Sequence, residues 1–246
     1  MHNLGETRSS YQRTHLLQTR DTFVRTTLPG MKGASAVVHA APQIGAGFTQ
    51  YTAEFEVDGV LGPTPGQRFL YVLEGALKVE ANGAVKPVAQ GGYAYIPQAA
   101  IHTVTATTKS RAVVIEKKYV RSSGIAFGAA IFGDESEVVS TALMDNVDLQ
   151  VQMLIPDSVE YDFAVNLMSY QPGAALSMVE IHVMEHGLLM LEGGGIYRLG
   201  DAWYPVTAGD FIWMAPYCPQ WFGAIGKTPT KYIIYKDSNR HPLGEV

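Results

Sequence analysis

Apolar and polar residues alternate over short spans along much of the chain. In FTQYTAEFEV (48–57), Tyr51, Ala53, Phe55 and Val57 fall on every second position. A period of two sends successive side chains to opposite faces of an extended strand. Similar runs follow in RFLYVLEGALKVEANG, GYAYIPQ and AVVIEKKYV, and later in FAVNLMSYQPG, GIYRLGDAWYPV, DFIWMAP and KYIIYKD. They are rich in Val, Ile, Tyr and Phe and are bounded by Gly, Pro or Asn, which predicts strands of roughly four to eight residues. Many short strands with little helical periodicity predict an all-β sandwich or barrel architecture. The one local helix expected lies around DESEVVSTALMDN (134–146), where a boundary between two halves falls.

The pattern repeats. Sliding the chain against itself by 118 residues brings Gly75 onto Gly193 (193 − 75 = 118). Leu73 and Glu74 then meet Leu191 and Glu192, Pro87 and Val88 meet Pro205 and Val206, and Gly91 meets Gly209. Carried on without a gap, the register pairs Ile115 with Ile233 and Lys118 with Lys236. Turn-forming Gly and Pro that recur in register mark a duplicated unit. The chain therefore divides into an N-terminal arm (1–39), a first barrel (40–125), a connector (126–159) and a second barrel (160–246).

Composition narrows the partners. With 47% hydrophobic and 17% charged residues in 246, the chain reads as a globular protein able to bury a sizeable core. A net charge of −5 and the lack of a basic run argue against nucleic acid. No apolar stretch approaches about 18 residues, so no membrane-crossing helix is expected, and the polar N-terminus lacks a signal-peptide core. A lone Cys218 cannot form an intrachain disulfide, which fits a reducing, cytoplasmic setting.

Three ligand-type side chains, Glu180, His182 and His186, crowd into VEIHVMEHGLLMLEGG (179–194). On a strand Glu180 and His182 share a face, with His186 across a turn or at the start of the next strand. The offset adds Gln220, opposite His102 of the first copy. With no thiolate, such a set suits Mn²⁺, Fe²⁺, Co²⁺, Ni²⁺ or Zn²⁺ with open coordination positions. The same two histidines and glutamate could lie on a surface hairpin; the flanking Gly173, Gly193, Pro205 and Gly209 speak for a built site. In the first copy the equivalent positions are Gly62, Thr64, Arg68 and His102. A fixed guanidinium there repels a cation, so the first barrel is expected to be degenerate and metal-free.

Both stretches resemble the cupin motifs, the first G(x)5HxH(x)3–4E(x)6G, matched here by Glu180-x-His182-x3-His186-x6-Gly193. The second, PxGDxxxxPxxxxH, is matched by Pro205-x3-Gly209-Asp210, Pro216 and Gln220. The ligand order is permuted to Glu, His, His, Gln. Among bicupins, chains of two double-stranded β-helix barrels, that order resembles the (S)-ureidoglycine aminohydrolase family of allantoin and purine degradation, and the likeness extends over most of the chain. The resemblance implies Mn²⁺ at Glu180, His182, His186 and Gln220, and hydrolysis of (S)-ureidoglycine to (S)-ureidoglycolate and ammonia. It also implies substrate contacts from Tyr197, Tyr232 and Lys236, proton transfer by Lys236 or Glu180, and a homo-oligomer of two or more copies. Read without it, the two tyrosines and Lys236 are barrel lining and a surface charge. Two other readings stay open: a bicupin dioxygenase or isomerase on a small organic acid, and a non-enzymatic small-molecule-binding bicupin.

Overall fold

The computed structural model describes residues 5–98 and 100–240; the outer ends of the expected arm and second barrel, 1–4 and 241–246, lie outside them. Among the described residues the chain is built of strands, short 3-10 turns and loops, as the period of two predicts. It forms two compact units.

One unit comprises Val24–Val138, Leu154–Asp162 and 238–240. Its sheet runs in the order Ile131–Asp134, Gly92–Ile96, Gln67–Glu74, Ser110–Lys117, Thr49–Leu61, His102–Ala106, Ala76–Ala81, Ala84–Ala89. Met31–Ala40 also pairs with the long strand Thr49–Leu61. The alternation seen in 48–57 decides which side is core: Tyr51, Ala53 and Phe55 point inward with Leu70, Val72, Val79 and Val114.

The other unit comprises 5–23, Val139–Met153 and Phe163–Asp237. Its main sheet has the order Ser10–Gln12, His15–Gln18, Phe211–Met214, His186–Glu192, Thr230–Lys236, Ala164–Tyr170, Asn146–Met153, Ser140–Leu143. A second sheet holds Ala202–Thr207, Gly194–Leu199 and Gln220–Ala224. Leu188, Met190, Tyr197, Phe222, Tyr232 and Ile234 meet between them. The arm and the connector are thus woven into sheets. The first arm strand is tied down by Arg8, whose guanidinium forks onto the buried Asp210 carboxylate at 2.8 and 3.0 Å.

The helix expected at 134–146 does not form. Asp134 caps a single 3-10 turn, Glu135–Glu137, by accepting from Ser136 N at 2.9 Å. The chain then turns into the hairpin Ser140–Leu143 and Asn146–Met153, with Met144 and Asp145 at φ 50° and 59°. Val138, Val139 and Thr141, β-branched residues, favour extended backbone, and Asp145-Asn146 supplies a turn.

The repeat is visible in the pairing. Arg68 faces Ile96 as His186 faces Met214, and His102 faces Ala81 as Gln220 faces Leu199, each 118 residues on. Gly75 and Gly193 make the same turn at φ +78° and +65°, and a Cβ on either would meet a backbone carbonyl at 2.4 or 2.6 Å. The ungapped register fails at the last strand. Arg68 lies opposite Glu116, but His186 lies opposite Lys236, a step of 120 (236 − 116). Five residues, 225–229, precede the last strand of the second copy against three, 107–109, in the first. Lys236 is the counterpart of Glu116, and the matches of Ile115 with Ile233 and Lys118 with Lys236 are coincidences of sequence.

Candidate active site

Four side chains named from the sequence come together. Glu180 and His182 lie in an extended but irregular segment, laid along 217–220 by three backbone bonds. Glu180 N donates to Gln220 O at 2.9 Å, Gln220 N to Glu180 O at 3.0 Å, and Tyr217 N to His182 O at 2.8 Å. Residues directly opposite in an antiparallel pair project to the same side, so Glu180 and Gln220 are neighbours. His186 opens its strand and is bracketed by Met214 and Lys236. The His182 and His186 rings stand edge to face, with their Nε2 atoms 3.2 Å apart. Gln220 Nε2 is 2.7 Å from His182 Nε2, and a Glu180 carboxylate oxygen lies 4.0 Å from it.

The electrostatics suit a cation. His186 Nδ1 lies 3.1 Å from the Tyr235 carbonyl, which accepts its hydrogen and leaves Nε2 with a lone pair. Complete burial, then the positive charge of Lys236 and the neighbouring His182, push the His186 pKa down to about 3, so the ring is neutral at ordinary pH. Fixing a histidine tautomer through its far nitrogen is how metal-binding imidazoles are oriented. Among the described residues, His182 Nδ1 and Gln220 Oε1 are buried polar atoms without a hydrogen-bond partner. The amide is near-symmetric in shape, so a turn about its last torsion presents that oxygen to the imidazoles. Two imidazole nitrogens, an amide oxygen and a carboxylate thus fit a divalent ion. Among the described residues no three His, Cys, Asp or Glu groups close into a metal cage; the Gln220 amide lies beside the two histidines, and the Glu180 carboxylate stands off.

The same pocket, about 160 Å³, is bordered by Tyr197, Tyr232 and Lys236, with Leu143, Met168 and Met184 on its apolar wall. Tyr197 and Tyr232 are buried, which holds both phenols well above their ordinary pKa. A third tyrosine, Tyr170, lies behind them with its hydroxyl 2.7 Å from that of Tyr232. Sequence reasoning missed it, although it shares the inward face of its strand with Met168. All three rings pack around Phe222, at centroid distances of 4.9, 5.4 and 5.8 Å for Tyr170, Tyr197 and Tyr232.

The first unit shows what the equivalent position becomes with a different residue set. Arg68, 2% exposed, donates from Nε to Glu116 at 2.8 Å and from Nη1 to the Gly62 carbonyl at 2.8 Å. His102 Nδ1 donates to the Ala100 carbonyl at 2.8 Å, leaving its Nε2 to accept from Arg68 at 2.7 Å. Tyr51 donates to the same carboxylate at 2.8 Å. The guanidinium fills the place of the paired histidines with its charge answered by Glu116.

Comparison with known proteins agrees with the duplicated barrel. The family model "Cupin domain" matches twice, over residues 55–116 and 166–235. A rice (Oryza sativa subsp. japonica) protein named probable (S)-ureidoglycine aminohydrolase is 39% identical over 97% of this chain and 78% of its own length. The Arabidopsis thaliana (S)-ureidoglycine aminohydrolase is 38% identical over 97% of this chain and 80% of that one. The crystal structure of protein Ylba from E. coli superposes with a TM-score of 0.86 at 28% identity, covering 98% of this chain and 97% of the other. With two cupin barrels and identities of 38% and 39% over 97% of its length, the chain belongs to the (S)-ureidoglycine aminohydrolase family of bicupins.

Proposed function

We propose that this protein hydrolyses (S)-ureidoglycine to (S)-ureidoglycolate and ammonia at the pocket of the second barrel. The observation that carries the reading is the convergence of Glu180, His182, His186 and Gln220 on the pocket that Tyr197, Tyr232 and Lys236 border. Those four side chains would hold a divalent ion, Mn²⁺ in our reading, which when bound would polarise the substrate and make water more acidic. The first barrel carries no metal, since the Arg68 guanidinium takes that place.

The chain's own groups account for binding and proton handling. Ureidoglycine carries a carboxylate and, on the adjacent carbon, an amine and a ureido nitrogen. The Lys236 ammonium and the Tyr232 hydroxyl take the carboxylate by charge-assisted hydrogen bonds. Tyr197, protonated at neutral pH, offers a further hydrogen bond. The departing nitrogen must leave as ammonia, so it needs a proton; Glu180, about a quarter exposed at the pocket edge, can take the proton that the attacking water sheds and pass it to that nitrogen. Burial of the tyrosines keeps that wall dry and strengthens each of these contacts.

The assay is ammonia release from freshly generated (S)-ureidoglycine. Activity should collapse on chelation, return with Mn²⁺, and be lost in Glu180→Ala. Undiminished turnover by metal-free Glu180→Ala protein sinks the proposal, and oxygen uptake coupled to turnover would replace it with a dioxygenase. In the same reading the protein is cytoplasmic and works as a homo-oligomer, with Ser10–Gln12 and Ser140–Leu143 at the two ends of its eight-stranded sheet as edges on which copies can pair.

A further inference from the structure

The Tyr170–Tyr232 pair carries an inference beyond the pocket wall. Tyr232 borders the pocket and Tyr170 does not. Their strands are adjacent, Tyr232 lying opposite Met168 and Tyr170 opposite Thr230, so the two tyrosines are diagonal neighbours on one face. The rings lie 5.5 Å apart and the hydroxyl oxygens 2.7 Å apart, with Tyr170 fully buried and Tyr232 2% exposed. A phenol hydrogen lies near the ring plane and has few directions to choose from. One hydrogen occupies the space between the two oxygens, and whichever hydroxyl supplies it decides whether Tyr232 presents a hydrogen or lone pairs to the pocket.

We propose that Tyr170 is a positioning residue for recognition of the substrate's carboxylate: its hydroxyl donates to the Tyr232 oxygen, so that the Tyr232 hydrogen is directed into the pocket. The opposite polarity would turn lone pairs of Tyr232 toward an anion. A hydroxyl that accepts one bond while donating another is also a stronger donor. Burial holds both phenols protonated, so each keeps the hydrogen this chain requires. The inference rests on the reading that the pocket takes a carboxylate substrate.

Tyr170→Phe removes the oxygen and keeps the ring packed on Phe222. The prediction is a KM for ureidoglycine, and a calorimetric Kd for the product ureidoglycolate, raised about two- to tenfold, the size of one hydrogen bond. Turnover at saturation should stay within about twofold, because the interaction is made in ground and transition states alike. In a Tyr232→Phe background the Tyr170→Phe change should add nothing further. Unchanged KM and Kd, or an effect that adds fully to that of Tyr232→Phe, overturns the proposal. So does a Tyr170→Phe protein whose weakened binding comes with lost metal and a lowered melting temperature, because the role is then structural. Wild-type protein that neither turns over ureidoglycine nor binds ureidoglycolate defeats the functional reading first.

Discussion

Substitution of Arg68 by methionine probes how the first barrel closes its vacated site. The side chain keeps similar length and apolar stem but loses the charge, both contacts with Glu116 (2.8 Å from Nε and 2.7 Å from Nη2), and the bonds to the Gly62 carbonyl and His102. Removing one member of a buried ion pair costs about 3–5 kcal/mol, chiefly because the other charge is stranded. Glu116 is 21% exposed and keeps its bond from Tyr51, so partial hydration softens the loss to about 2–4 kcal/mol. Replacing the pair together, Arg68→Met with Glu116→Leu, leaves no stranded charge and should cost at least about 1 kcal/mol less than the two single changes summed. Scanning calorimetry of the four proteins tests this, with the single change expected to lower the melting temperature by roughly 6–12 °C. Ammonia release per folded protein should stay within about twofold throughout, since the reacting groups lie in the other barrel. Additivity within about 0.5 kcal/mol, or a single change costing under about 1 kcal/mol, refutes the idea that Glu116 neutralises a buried charge.

Other perturbations give clear expectations. His39 is buried beside Thr52, 2.8 Å away, and burial with Arg111 nearby lowers its pKa to about 3. The unfolded chain therefore takes up that proton first as pH falls, so stability present above about pH 6.5 drains away toward pH 3 at up to about 1.4 kcal/mol per pH unit. His39→Gln should flatten the urea midpoint over that window; an unchanged acid limb contradicts the assignment. Gly193→Ala forces a Cβ to 2.6 Å from the Pro229 carbonyl at φ +65° and should cost about 2 kcal/mol or more in urea unfolding; a neutral result would mean that the turn relaxes freely. Lys236→Met should raise KM by about tenfold or more, the value of a charged hydrogen bond, with metal content unchanged; an unaltered KM would remove Lys236 from the carboxylate's path.

Much of this architecture is legible in the chain. Alternation along 48–57 identifies the inward Tyr51, Ala53 and Phe55, and the 118-residue offset picks out Gly62, Thr64, Arg68 and His102 as the equivalents of the candidate ligands, of which Arg68 bonds to Gly62 and His102 in the structure. What could not be read has physical causes. The two extra residues before Thr230 fall in a loop, where length is cheap, and chance identities on either side conceal them. Glu116 as partner to Arg68 needs the cross-strand register, which no single strand encodes. Residues 134–146 carry a helix-like mix of acidic and apolar side chains, but the strand they form is decided by its pairing with Asn146–Met153. Tyr170 reads as one more core aromatic, because its hydroxyl has meaning only beside Tyr232.

The two-residue lengthening before the last strand also limits how such a duplicated barrel can change. Side chains on a strand alternate in and out, so sliding it by one or three residues would exchange its faces and send Tyr232 and Lys236 out of the pocket. Sliding by two moves every inward residue along by about 7 Å and leaves it inward. In this chain that one even step sets a lysine opposite His186 where the sister barrel has a glutamate opposite Arg68. A loop far from any ligand can thus replace the charge facing the centre of the barrel without a substitution in either strand, and only insertions or deletions of even length have that freedom.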